Sequence, residues 1–174
     1  KNFKISSVNQ KLELLKALKV DFIITKKFDR NFSKIKSIKF IKEILYKKLN
    51  CKFIFVSNNF RFGNKREGDV KLLVENEKKY NYKVIKPKPL LLSKKVVSST
   101  TIRNLLEKGE LSKANKFLGR EWTIDGIVQK GRQVGKKIGF PTCNIDIKDY
   151  VLAQPGVYAV RVLRKKNQKK LSGI

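Results

Sequence analysis

The chain has 174 residues, 41% of them hydrophobic, which is enough to bury one domain or two shortened ones and excludes wholesale disorder. It contains no His, so a His-based triad or a His-ligated zinc site within this segment is excluded, and its two cysteines, Cys51 and Cys143, lie far apart, as suits a reducing cytoplasm. The net charge of +28, from 42 Lys and Arg against 14 Asp and Glu, first suggests a nucleic-acid binder.

Only eight of those basic residues are Arg, and Lys is spread from Lys1 to Lys170 without a basic arm. Specific phosphate and base contacts favour the planar fork of Arg. The charge therefore reads as a habit of the solvated surface, and nucleic acid is not the expected partner. A basic RNA-binding protein without catalytic activity stands as the alternative. No apolar run approaches the roughly 18–20 residues that cross a bilayer, so no membrane is expected as partner. Residues 1–10 lack the apolar stretch of a secretory signal. Position 1 is Lys, no Met occurs, and residues 171–174 read as a strand just beginning. A fragment lacking both natural termini is expected.

In chain order, Leu12, Leu15 and Leu18 share a helical face, with Leu14 beside them, and the helix runs into an apolar strand near 22–25. Ile38, Ile41, Ile44, Leu45 and Leu49 form a stripe at steps of three and four, which predicts a long amphipathic helix. Residues 53–56 are wholly apolar, the pattern of a strand buried on both faces of a parallel sheet. A loop carrying Gly63 and Gly68 leads to a helix over 69–80, then a strand at 82–85 closed by Pro87 and Pro89. Strand and helix alternating at this spacing predict an open α/β sheet.

Ser98 or Ser99 is placed to cap a helix burying Ile102, Leu105 and Leu106, which Gly109 stops. A second helix over 111–118 is closed by Gly119. Beyond Arg120 the pattern changes: Trp122, Ile124 and Val128 stand at strand spacing, a stretch with Gly131, Gly135 and Gly139 follows, and 157–163 reads as another strand before a hairpin tip at 165–170. We place a boundary near residue 120, with an α/β domain over 1–119 and the opening strands of a β-barrel over 120–174. A barrel stopped there exposes unpaired edges, so the segment alone is expected to be unstable and inactive.

Three constellations carry chemistry. In 131–144, three glycines at steps of four leave backbone N–H groups open to phosphate oxygens, while Arg132, Lys136 and Lys137 add positive charge. Pro141 fixes the turn, and Thr142 and Asn144 set two oxygen donors on one face of an extended segment. Such donors suit a Mg²⁺–nucleotide complex; the plainer reading is a glycine-rich barrel loop. At 97–103, Ser98, Ser99 and Thr100 open a helix whose free N–H groups attract anions, and Arg103 lies one turn in; plain capping is the alternative. At 56–63, Asn59, Arg61 and Phe62 follow a strand, where open α/β sheets bind ligands; a structural turn with core Phe residues is the alternative.

Taken whole, these strings resemble a known family. Gly139-Phe140-Pro141-Thr142-Cys143-Asn144 resembles the Gly-Phe-Pro-Thr-Ala-Asn motif of riboflavin kinases, with Cys143 for the usual Ala. Val97-Ser98-Ser99-Thr100-Thr101-Ile102-Arg103 is similar to the phosphate-holding segment of bacterial FAD synthetases. Asn59-Phe60-Arg61-Phe62-Gly63 resembles the motif beside their flavin and adenine pockets, and Phe28-Asp29-Arg30 a flavin-side segment. In order and spacing the chain resembles the bacterial bifunctional riboflavin kinase/FMN adenylyltransferases from about residue 11 to 162. The resemblance implies a Rossmann-like nucleotidyltransferase domain followed by a riboflavin kinase barrel, with ATP, riboflavin and FMN as substrates. It implies Mg²⁺ and ATP phosphates at Thr142 and Asn144 under a flap spanning Gly131, Gly135, Lys136, Gly139 and Pro141. It implies ATP phosphates at Ser98, Ser99, Thr100 and Arg103, and flat rings at Asn59, Arg61 and Phe62. The family's His-x-Gly-His motif is absent and its barrel's general-base Glu lies downstream of residue 174, so no catalytic base is named here.

Overall fold

The computed structural model describes residues 3–132, 137, 139, 142–147, 149–164 and 169–173. The chain divides into two units, Phe22–Leu90 and the combination of Lys1–Asp21 with Leu91–Ile174.

In the first unit, the apolar stretch at 53–56 and the strand expected at 82–85 become β1 (Phe53–Phe55) and β4 (Lys83–Ile85), paired in parallel with Ile54 opposite Val84. Strand alternation turns Ile54 and Val84 toward a cluster built on Ile41, Phe62, Val70, Leu73, Tyr80 and Tyr82. It turns Phe53 and Phe55 the other way, where they are 64% and 66% exposed. The expected burial on both faces is therefore corrected: among the described residues the core covers one face of this strand. The apolar run at 22–25 is not a strand, and Phe22 and Ile24 are 88% and 71% exposed. A strand exists by pairing, and no ladder reaches these residues.

A short helix α2 (Arg30–Ser33) is capped by Asp29, whose carboxylate accepts from the Phe32 N–H at 2.8 Å. The stripe from Ile38 to Leu49 is helical, with α3 (Ser37–Lys39) running into a π-helix over Phe40–Lys48. The wider i→i+5 turn rotates the stripe away from its α spacing. Ile41 is fully buried, Ile44 and Leu45 are half-buried, and Ile38 and Leu49 face solvent. The helix expected over 69–80 is two, α4 (Val70–Glu75) and α5 (Glu77–Tyr80). Asn76 stands at the break, its side chain donating to the Leu72 carbonyl at 2.9 Å, which is how Asn competes with a helix ladder.

Tyr82 closes this core. It is buried, and its hydroxyl donates to the Leu73 carbonyl at 2.7 Å. Burial, then the charge of Glu77 and the neighbouring Tyr80, push its phenol from 10.0 up to about 12. Because the folded state favours the protonated phenol, its contribution is intact below pH 10 and is lost as pH climbs toward 12. Urea titrations from pH 9 to 12 should show stability falling more steeply in the parent than in Tyr82→Phe; equal slopes would refute this.

In the second unit, α1 (Val8–Ala17) carries Leu12 and Leu15 of the expected face, with Leu18 at its C-cap, yet buries none of its residues. It opens with a capping box in which Ser7 and Gln10 satisfy each other's backbone. A hairpin of β5 (Leu91–Leu92) and β6 (Lys95–Val96) leads to α6 (Ser99–Glu107) and α7 (Leu111–Leu118), which Gly119 ends with φ +66°. Ile102, Leu106, Ala114 and Val151 form this unit's core, flanked by Ile5 and Trp122.

Trp122 and Ile124 do not form the expected strand. The Trp122 indole N–H instead donates to the Ile5 carbonyl at 3.0 Å, so packing outweighs the alternating pattern. The strands present are β7 (Val128–Gln129), antiparallel to β8 (Asn144–Ile145), and β9 (Val160–Arg164), antiparallel to β10 (Lys169–Gly173). Among the described residues these are two separate ladders, and no barrel closes.

Candidate functional site

The loop after β1 begins with Ser57, whose hydroxyl donates to the Asn59 side-chain oxygen at 2.9 Å. Asn59 and Arg61 are exposed; Arg61 opens the two-residue strand β2 (Arg61–Phe62) and approaches Asp69 at 3.5 Å. Alternation puts the next side chain inward. Phe62 is 7% exposed, its ring stacked on Phe60 at 5.7 Å and tilted against Phe40 at 5.6 Å. Asp69 closes β3 (Gly68–Asp69) and caps α4 by accepting from the Leu72 N–H at 2.9 Å. The two short strands pair, Arg61 opposite Asp69, so a cation and an anion share one exposed face.

This loop is held by backbone crowding. Gly63 adopts φ +77° and ψ 178°, and a Cβ there would lie 2.7 Å from the Ser37 nitrogen. Ser37 is buried and donates through its N–H to Glu67 at 2.7 Å. Beyond the carboxyl ends of β1 and β4 lies an open groove of about 480 Å³, lined by Asn58, Val70, Lys71, Val74, Glu75 and Lys86. Asn59, Arg61 and Phe62 are not among its lining.

In the other unit, Ser98 is the N-cap of α6. Its Oγ accepts from the Thr101 N–H at 3.1 Å and shares a 2.9 Å bond with the Thr101 hydroxyl, which donates to the Val96 carbonyl. Ser99 and Thr100 are exposed at the first turn, where backbone N–H groups lack helical partners, and that turn contains no acidic residue. Ser98 is thus spent on the cap, while Ser99 and Thr100 leave their hydroxyls at the open end. Arg103 is half-buried and donates through Nε to the Phe3 carbonyl at 2.8 Å.

For the third constellation, Gly135, Lys136 and Pro141 lie outside the described residues. Gly131 and Asn144 come together: β7 pairs Gln129 with Asn144, and a Cβ on Gly131 would fall 2.1 Å from the Asn144 side-chain nitrogen. The absence of a side chain on Gly131 is what leaves the Asn144 amide this close to the backbone. Gly139 has φ +87°, and Thr142 is exposed. The two ends of the glycine-rich stretch are therefore joined by one ladder, with Asn144 at the join.

Several residues emerge only from the fold. Gln10 donates to the Thr123 carbonyl at 3.0 Å and to its hydroxyl at 3.1 Å, and accepts from the buried Tyr150 hydroxyl at 3.3 Å. Arg120 donates to the Ser6 hydroxyl at 2.7 Å. The Ser7-x-x-Gln10 spacing was readable as a capping box; the contacts beyond it, more than a hundred residues away in sequence, carried no local signal.

Comparison with known proteins places these pieces. Residues 1–101 match the family model described as FAD synthetase, and residues 118–174 match that of riboflavin kinase. A bifunctional riboflavin kinase/FMN adenylyltransferase of Buchnera aphidicola from Schizaphis graminum is 41% identical over 160 residues, covering 91% of this chain and 51% of the relative. The Escherichia coli K12 protein of the same description is 34% identical over 171 residues, covering 98% of this chain and 54% of the relative. The chain thus spans about half the length of the curated relatives it matches. A crystal structure described as a macrolide-efflux protein from Streptococcus pneumoniae superposes with a TM-score of 0.78 at 25% identity, covering 97% of this chain and 53% of that one. Two consecutive matches, in the order in which α6 and the glycine-rich stretch occur, identify the chain as a member of the FAD synthetase family that continues into a riboflavin kinase segment.

Proposed function

We propose that the protein carrying this chain makes FAD in two steps, phosphorylating riboflavin to FMN with ATP and then joining AMP to FMN with release of pyrophosphate. The observation that carries this reading is the pair of consecutive family matches, one for each activity, over 1–101 and 118–174. We assign residues 1–119 to a Rossmann-like adenylyltransferase domain and residues 120–174 to the start of a kinase barrel, in a cytoplasmic enzyme.

In the kinase half, Thr142 and Asn144 offer oxygen donors to Mg²⁺ and the ATP phosphates, with Gly131, Gly135, Lys136, Gly139 and Pro141 in the flap. The donor set fits. Among the described residues no group of three His, Cys, Asp or Glu could hold a metal. Thr142 and Asn144 would supply neutral oxygens, which Mg²⁺ sites on nucleotides commonly take beside the phosphates. When bound between these side chains and the nucleotide, Mg²⁺ would offset the charge of the phosphates. In the adenylyltransferase half, the open turn of α6, shaped by the Ser98 cap, steadies phosphates with Ser99, Thr100 and Arg103 by position and electrostatics. Asn59 and Arg61 face ring ligands from the loop after β1, and Phe62 supports that loop from the core side.

The direct test is an assay of the full-length protein with riboflavin, ATP and Mg²⁺, separating flavins by chromatography. FMN followed by FAD is expected. Appearance of neither would falsify the reading.

A further inference from the structure

Arg103 is useful to a phosphate only if its plane is set before the phosphate arrives, because a free Arg has many rotamers to lose. Its Nε–H donates to the Phe3 carbonyl at 2.8 Å, and its terminal nitrogens have no partner among the described residues. The guanidinium is rigid and planar, so one bond at Nε orients the remaining fork. That carbonyl is itself held. The Phe3 and Lys4 N–H groups donate to the Asp149 carbonyl at 3.3 and 3.0 Å, and the Val151 N–H donates to the Lys4 carbonyl at 2.9 Å. Together these form a parallel bridge between Lys4 and Tyr150. Tyr150 is buried, and Val151 packs beneath α6 against Ile102 and Leu106. One end of the bridge therefore sits in the core under the helix, and the other delivers a carbonyl to the Arg on it.

We infer that the Phe3 carbonyl, held by the Lys4–Tyr150 bridge, is a positioning group that aims the free fork of Arg103 at a phosphate of the ligand bound at the start of α6. The inference rests on the reading of Arg103 as a phosphate-holding residue. It adds that a segment a few residues beyond Asn144, in the riboflavin kinase match, orients an Arg of the adenylyltransferase motif.

The test uses the full-length protein, with FAD formation from FMN and ATP and riboflavin phosphorylation measured separately. Lys4→Pro deletes the N–H that donates to Asp149, whereas Lys4→Ala keeps it and loses only the exposed 2.6 Å ion pair with the Asp149 carboxylate. Lys4→Pro should raise the KM for ATP in FAD formation on the order of tenfold with the KM for FMN unchanged, and Lys4→Ala should stay within about twofold. In an Arg103→Ala background, Lys4→Pro should add nothing, since both act through one side chain. Arg103→Lys keeps the charge but cannot both bond the carbonyl and present a fork, so it should be nearly as impaired as Arg103→Ala. If Arg103→Ala leaves FAD formation unchanged, the phosphate reading itself fails. If Arg103→Ala is impaired but Lys4→Pro is additive with it, or Arg103→Lys is as active as the parent, the positioning role alone is overturned.

Discussion

Replacing Thr142 by Ala in the full-length protein is expected to lower FMN formation from riboflavin on the order of 10²-fold or more, while FAD formation from supplied FMN stays within about twofold. The change deletes one oxygen donor and leaves the backbone free to keep its course. Thr142 is exposed, so the loss of a core contact does not compete as an explanation. Electrostatic positioning groups of this kind supply their effect where charge develops on the transferred phosphoryl group, which is why one atom counts for so much. The adenylyltransferase step should be spared because the residues proposed to face its phosphates lie at α6, which begins where the FAD synthetase match ends and well before Thr142. Thr142→Ser keeps the hydroxyl and should restore most of the kinase activity, which separates the donor from the methyl group. If both reactions fall together in Thr142→Ala, the division of labour between the halves is wrong.

Gly63→Ala is expected to cost about 3 kcal/mol of stability, from two sources that add. At φ +77° and ψ 178° the backbone lies in a region open almost only to glycine. The new methyl would also meet the Ser37 nitrogen at 2.7 Å and its Cα at 2.8 Å, and neither is the yielding tip of a side chain. Gly119→Ala is the control. It too has a positive φ, +66°, but nothing lies within 4 Å of a Cβ there, so it should cost only about 1–2 kcal/mol. Urea unfolding of both variants, with amide exchange read at 53–55 and 83–85, makes the comparison. Equal losses would mean that the crowding against Ser37 contributes nothing.

Much of the local structure was legible. The helix over 111–118 ends where Gly119 was read to end it, and Ser98 caps α6. Caps and stops are made by residues adjacent in sequence, so they survive whatever the fold does. The strands at 53–55 and 83–85 were also legible around a helix, and the fold supplied their parallel pairing with each other. The places where the reading departed share a cause. Residues 22–25 look like a strand in isolation, but pairing is a property of two segments. The π register of Phe40–Lys48 depends on how that helix meets its neighbours, and a stripe counted at α spacing cannot register it. Phe62 was read beside a ring pocket, and its neighbour Arg61 does face outward; only the direction of the core decides which of two adjacent side chains turns in. The motif strings were legible in type and order, and the ladder that brings Gly131 to Asn144 supplied what spacing alone did not, their contact.

By itself, the amino-acid sequence determined what depends on neighbours along the chain: caps, helix stops, apolar runs, and the order of motif strings that marks the family. Tertiary structure alone decided which faces those elements present, and that Arg103 meets Phe3 a hundred residues away. The physical reason is the range of the forces involved. Dihedral preferences and capping bonds act within a turn, whereas burial and long-range hydrogen bonds are settled only when distant segments meet.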